Sequence, residues 1–95
     1  MRLRWTVLAL NDFEQAHDHI NQDNPEAARQ IAQRLLDAAR TLLDYPYIGR
    51  VGEDETTREW QVQKTPYLLV YTIKDEVIEI VRVWHFARDP SIRAN

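Results

Sequence analysis

The chain has 95 residues and a formal net charge of −3, and it contains no cysteine. Its length fits one domain spanning residues 1–95. The lack of cysteine excludes disulfides, a thiolate nucleophile and a Cys-based zinc site, so a cytoplasmic location is expected. No segment approaches the roughly 18 apolar residues of a membrane span, so no membrane contact is expected. An acidic chain is also poorly suited to sequence-independent capture of nucleic-acid phosphates.

The first elements are predicted from a change in apolar periodicity. Residues 2–8 alternate, with Leu3, Trp5 and Val7 on one side, which predicts a half-buried strand. Over residues 9–21 the apolar residues recur at three- and four-residue steps, which predicts an amphipathic helix. The chain therefore begins with a strand followed directly by a helix.

The second helix has clear signals at both ends. Asn24 can accept a hydrogen bond from an orphan backbone N–H, and Pro25 at the first helical position loses no useful donor. Tyr45 and Pro46 end the helix. About three residues separate it from the first helix, so the two form an antiparallel hairpin. Its apolar stripe consists of Ala28, Ile31, Leu35, Ala38, Ala39, Leu42 and Leu43.

Three more strands are predicted in the second half of the chain. Residues 46–56 hold both glycines and an acidic run, so they are expected to form an exposed connection. Strands follow at residues 57–63, 67–74 and 77–86, and their short turns make them antiparallel neighbours. The predicted fold is α+β in the order β-α-α-β-β-β, with the helical hairpin packed on a small, mainly antiparallel sheet. The apolar central strand should be covered on both faces, and the second cover could be a partner chain.

Two arginines interrupt apolar rows in these strands. Alternation places Arg82 in a row with apolar residues on both sides, and Arg58 in a row with Trp60 and Val62. In one explanation each arginine extends to water or pairs with Glu59, Glu79 or another nearby acid. In the other, the two guanidinium groups converge on one sheet surface and hold an anion. The row proposed around Arg82 contains Ile78, Ile80, Trp84 and Phe86.

Other candidate residues carry weaker signals. His85 could act as a general acid or base, although a lone histidine at a strand end more often has a structural role. Tyr67 and Tyr71 could stack on nucleic-acid bases, although core packing is the commoner use of such residues. The sequence holds no metal-binding motif, and no cofactor is expected.

The order of several short motifs resembles the ParE/RelE superfamily of toxins from type II toxin–antitoxin modules. Each motif is weak alone, but their succession covers nearly the whole chain. The matching segments are Leu3-Arg4-Trp5-Thr6, Asp23-Asn24-Pro25 with Ala27-Ala28, Tyr45-Pro46-Tyr47-Ile48-Gly49-Arg50, Thr57-Arg58-Glu59-Trp60, Thr65-Pro66-Tyr67 with Val70-Tyr71, and Val83-Trp84-His85 with Arg88-Asp89.

This resemblance implies a small protein that arrests bacterial growth and is neutralised by a cognate antitoxin in a hetero-oligomer. The antitoxin is expected to contribute an extended or helical segment, acidic near the C-terminal strands and apolar where it meets the sheet or the helix grooves. Members similar to ParE poison DNA gyrase by protein contact, whereas members similar to RelE cut mRNA on the ribosome. A third possibility is a degenerate toxin that is retained only to bind its antitoxin or to regulate a promoter.

The two mechanisms assign different roles to the same residues. In an mRNA endoribonuclease, Arg58, Arg82 and His85 would be catalytic and would act without a metal. In a gyrase inhibitor, the contact residues would be Arg58, Lys64, Tyr67, Arg82 and Arg88. The motifs around Gly49, Thr65 and Trp84 look closer to ParE, and a ribosome-directed ribonuclease is usually more basic. The resemblance therefore favours gyrase inhibition.

Overall fold

Two helices and five strands make up the structure, a computed structural model that describes residues 1–87. The sheet order is β1-β5-β4-β3-β2, with β1 parallel to β5 and all other neighbours antiparallel. This confirms the predicted α+β fold and adds one short strand. No helix in the described part of the chain is long and apolar enough to cross a membrane. The elements are β1 (Arg2–Trp5), α1 (Val7–Asn21), α2 (Pro25–Asp44), β2 (Arg50–Val51), β3 (Arg58–Gln61), β4 (Tyr67–Lys74) and β5 (Val77–His85).

The first strand is shorter than predicted because Thr6 begins a helix. Its hydroxyl oxygen accepts a hydrogen bond from the Ala9 N–H at 3.0 Å and donates one to the Val81 carbonyl at 3.0 Å. The side chain thus caps α1 and ties it to β5. Val7 belongs to α1 and is 74% exposed, so its predicted place on the buried side of a strand is wrong.

The second helix matches its prediction closely. Asn24 accepts a hydrogen bond from the Ala27 N–H at 3.1 Å, and Pro25 occupies the first turn. Five residues of the predicted stripe are buried and the other two pack partly buried against the core. The buried residues are Ala28, Leu35, Ala38, Ala39 and Leu42.

The connection after α2 contains a strand that alternation did not reveal. Arg50 pairs with Glu59 and Val51 pairs with Arg58, so β2 forms the edge of the sheet beside β3. Two residues are too few to show a period of two in the sequence. Asp54 closes the hairpin, because its carboxylate accepts hydrogen bonds from the Thr56 hydroxyl and N–H. These bonds lower the pKa of Asp54 below its ordinary value.

A β-bulge in β5 changes the face of the sheet to which the following side chains point. Val70 pairs with Arg82 but Tyr71 pairs with Ile80, so β5 has one extra residue at Val81. Ile80 is fully buried and Val83 is 5% exposed, whereas Arg82 is half-buried. A bulge shifts the alternation by one residue. The prediction that Arg82 shares a face with Ile80 is therefore wrong.

The central strand is buried within the chain itself. All residues of β4 from Tyr67 to Tyr71 are buried, as the run of apolar residues predicted. The suggestion that a partner chain covers its second face is wrong, because these side chains are already removed from solvent. The apolar character of this strand is thus no evidence about the antitoxin.

Candidate functional site

The guanidinium group of Arg58 binds the loop that follows α2. Its Nη1 donates to the Gly49 carbonyl at 2.7 Å and lies 3.4 Å from the Tyr47 carbonyl. The group also lies over the Tyr47 ring, with Cζ 5.0 Å from the ring centroid. A guanidinium on an aromatic face is attracted by the ring quadrupole. Arg58 therefore holds both the backbone and a side chain of this loop.

Tyr71 fixes the same loop from the buried side. Its hydroxyl donates to the Pro46 carbonyl at 2.7 Å and accepts from the Gly49 N–H at 3.0 Å. Burial raises the pKa of Tyr71, while the Gly49 hydrogen bond and the Arg58 charge act in the opposite direction. The hydroxyl thus stays protonated and can serve as donor and acceptor together.

The close approach of Tyr71 requires glycine at position 49. A Cβ atom built there would lie 2.6 Å from the Tyr71 hydroxyl oxygen and 2.8 Å from the Glu59 carbonyl oxygen. Both distances are shorter than nonbonded contacts allow, and the second involves backbone. Gly49 therefore permits the loop to pack against β3 and β4.

Large apolar side chains are exposed on the segment held in this way. We call residues 45–49 the aromatic loop. Tyr45 is 64% exposed, Tyr47 is 66% exposed and Ile48 is 41% exposed, and Val51 in β2 is 52% exposed. A cleft of about 570 Å³ adjoins Tyr47 and is also lined by Arg58 and Lys74 among other residues.

Arg82 is occupied by a carboxylate on α1. Its Nε and Nη2 atoms donate to Asp12 at 2.7 and 3.1 Å, and the Val83 N–H donates to the same carboxylate at 3.0 Å. The guanidinium also lies over the Trp84 ring at 4.7 Å. An acidic partner was predicted as one explanation, but Asp12 was not among the acids named. Glu79 pairs with Arg4 instead.

Arg58 and Arg82 do not converge. Glu59, Val70 and Arg82 are cross-strand partners and share one face of the sheet. Arg58 pairs with Tyr71 in the neighbouring row, and neighbouring rows point to opposite faces. The prediction of a common anion site between the two arginines is therefore wrong.

The other candidate residues differ in accessibility. Tyr67 is 3% exposed and packs edge to face on His85, with ring centroids 5.1 Å apart. Tyr67 thus belongs to the core, as the core-packing interpretation predicted. Lys64 is exposed in the turn between β3 and β4, where its φ is 63°. Arg88 lies outside the described residues.

An ion pair with a buried carboxylate lies beside the aromatic loop. Glu59 has a side chain only 5% exposed, and its Oε1 accepts from Nε and Nη2 of Arg50 at 3.2 and 2.9 Å. The pair joins β2 to β3 across the sheet. Sequence reasoning considered Glu59 only as a partner for Arg58 or Arg82, because β2 had not been recognised.

Comparison with known proteins decides the family. The model of the ParE toxin of type II toxin–antitoxin systems, parDE, matches residues 3–90. The chain belongs to the ParE toxin family. This result confirms the resemblance noted in the sequence, and membership of a type II system implies an antitoxin partner.

Similar proteins come from several bacteria. The ParE-family toxin is 37% identical over 84 residues to "Putative toxin Y4kP" of Sinorhizobium fredii, covering 88% of this chain and 86% of that protein. It is 42% identical over 84 residues to "Toxin RelE2" of Caulobacter vibrioides, covering 88% and 93%. A solved structure titled "Chromosomal ParDE TA system from P. aeruginosa" matches with a TM-score of 0.81 and 25% identity, covering 90% of this chain and 95% of that one.

Proposed function

We propose that this ParE-family toxin arrests growth by binding DNA gyrase and inhibiting it through protein contact, with no chemistry of its own. The observation that carries the proposal is the placement of the two candidate arginines. Each guanidinium has partners within the chain, and the partners lie on different elements, Asp12 of α1 for Arg82 and the Gly49 carbonyl of the aromatic loop for Arg58.

Phosphodiester cleavage has geometric requirements that this arrangement does not favour. A cation must lie where negative charge develops on the phosphate, and a proton acceptor must reach the attacking 2′-hydroxyl. Arg82 would have to leave a bidentate carboxylate before it could bind a phosphate, and such pairs are among the stronger hydrogen-bonded contacts. Arg58 is itself bound to the Gly49 carbonyl of the aromatic loop.

One observation favours a second candidate, ribosome-dependent cleavage of mRNA. Arg82 and His85 line the same surface cavity of about 260 Å³, together with Tyr67. A cation beside a possible acid or base is the minimum that metal-independent cleavage needs. Asp12 lines that cavity as well, and its negative charge disfavours a phosphate there.

The test is a gyrase supercoiling assay with purified toxin free of antitoxin. We expect loss of plasmid supercoiling and accumulation of cleaved DNA. Arg82→Lys and His85→Ala variants, kept folded, should inhibit gyrase as the unmodified chain does. A folded toxin that leaves gyrase active but cuts mRNA on ribosomes, with activity lost in His85→Ala, would replace this proposal by the ribonuclease.

The remaining expectations follow from the same proposal. Because gyrase acts on the chromosome, the toxin would work in the cytoplasm. It would be held there by its antitoxin in a hetero-oligomer until the antitoxin is lost. We also propose that residues 1–95 act as one domain, since strands from both ends of the described chain pair in one sheet.

A further inference from the structure

We propose that the aromatic loop, with Val51, is the surface that docks into the gyrase target, and that its occupant is a folded protein surface with an apolar pocket bordered by carboxylates. This inference rests on the proposed function and adds to it the contact surface. The side chains concerned are Tyr45, Tyr47, Ile48 and Val51, which we call the docking surface.

The docking surface is a cluster of exposed apolar side chains. Four large apolar side chains lie within seven residues, and each is at least 41% exposed. Clustered exposed apolar groups mark interaction sites, whereas single ones are ordinary. Tyrosine is also among the residues enriched where interfaces gain most of their affinity.

The loop is fixed before any partner binds. Tyr71 holds the Pro46 carbonyl and the Gly49 N–H, Arg58 holds the Gly49 carbonyl, and the Ile48 N–H donates to the Tyr45 carbonyl at 3.1 Å. A contact surface that is already ordered loses less conformational entropy on binding. An ordered exposed loop suits a folded partner. An extended antitoxin segment would instead pair along a sheet edge, and the edge strand β2 at this place has only two residues.

Charges near the loop define the chemistry of the partner. Arg58 and Lys74 line the cleft beside Tyr47, and the Arg50 side chain is 58% exposed on β2. These cations fit carboxylates at the rim of an apolar pocket. Residues 53–55 are Glu-Asp-Glu and lie in the adjacent hairpin, and Glu55 lines the same cleft. The cleft therefore carries both signs of charge, which suits a protein surface of mixed charge better than the uniformly negative backbone of a nucleic acid.

The test uses two variants of the full chain, Tyr47→Ala and Ile48→Ala, with Leu36→Ala as a matched control. Leu36 is 37% exposed on α2, outside the docking surface, so the control loses a similar amount of exposed apolar surface. We expect the two loop variants to need about tenfold more toxin for half-inhibition of gyrase supercoiling, and the control to match the unmodified chain. Affinity for the antitoxin and the melting temperature should change little in all three.

The outcomes separate this inference from the function on which it rests. If the unmodified toxin inhibits gyrase and both loop variants inhibit equally well, the docking surface is wrong and the function stands. Loss of antitoxin affinity with inhibition intact would assign the surface to the antitoxin and overturn the inference. Loss of ribosomal mRNA cleavage in the loop variants, with gyrase unaffected, would assign it to RNA. An unmodified chain that leaves gyrase active overturns both.

Discussion

Replacing Tyr71 by phenylalanine should destabilise the protein by removing one oxygen atom from a buried network. The ring keeps its packing, so no large cavity forms. The Pro46 carbonyl loses its donor, and the Gly49 N–H loses its acceptor. Each such bond contributes about 1 kcal/mol net, and a buried donor left without an acceptor costs about 1–3 kcal/mol. The larger penalty applies to the Gly49 N–H, because Gly49 is buried whereas Pro46 is half-buried.

We therefore expect Tyr71→Phe to lose about 2–3 kcal/mol of unfolding free energy. In a domain of this size that corresponds to a fall in melting temperature of about 8–24 °C. Urea titration followed by tryptophan fluorescence measures the free energy, and a thermal scan measures the temperature. Tyr45→Phe is the control, because Tyr45 is 64% exposed and its change should stay within about 0.5 kcal/mol. A loss below about 0.5 kcal/mol in Tyr71→Phe would refute the idea that its hydroxyl holds the loop.

Three further predictions follow from the same contacts. Burial raises the pKa of Tyr71, so the stabilisation by its protonated hydroxyl is complete below about pH 10 and is lost as pH rises through the raised pKa. In urea titrations at alkaline pH, the unfolding free energy of the unmodified chain should therefore fall more steeply with pH than that of Tyr71→Phe. Gly49→Ala should cost at least about 2 kcal/mol because its Cβ meets Tyr71 and the Glu59 backbone, and urea titration measures this. Asp12→Ala should cost about 2 kcal/mol, since it removes the partner of Arg82 and of a backbone N–H, and a change within error would contradict that role.

Sequence reasoning succeeded where the signals are local. The ends of α2 follow from Asn24, Pro25 and Pro46, whose effects act within one helical turn. The bounds of β4 agree residue for residue with the prediction, because a run of apolar residues between two turns needs no distant information. These elements determine where the core lies and the order of the helices and strands.

The site was harder to predict because its contacts join distant parts of the chain. Tyr71 and Gly49 are 22 residues apart, and Asp12 and Arg82 are 70 apart. The bulge at Val81 reverses the alternation from which the face of Arg82 had been inferred. No residue type in β5 indicates this bulge in the sequence. The nearest available signal was Gly49 itself, since an isolated glycine beside aromatic residues can mark a close backbone approach.

The role of Arg58 can be separated from catalysis through its contacts with the aromatic loop. In this chain its guanidinium donates to the carbonyl of Gly49, and the Tyr71 hydroxyl accepts from the N–H of the same residue. If Arg58 serves the loop, Arg58→Ala and Tyr71→Phe should weaken gyrase inhibition together, each with a loss of stability. If Arg58 instead contacts a scissile phosphate, Arg58→Ala alone should abolish toxicity and Tyr71→Phe should leave it intact. Measuring inhibition and unfolding free energy in both variants therefore separates a positioning residue from a catalytic one.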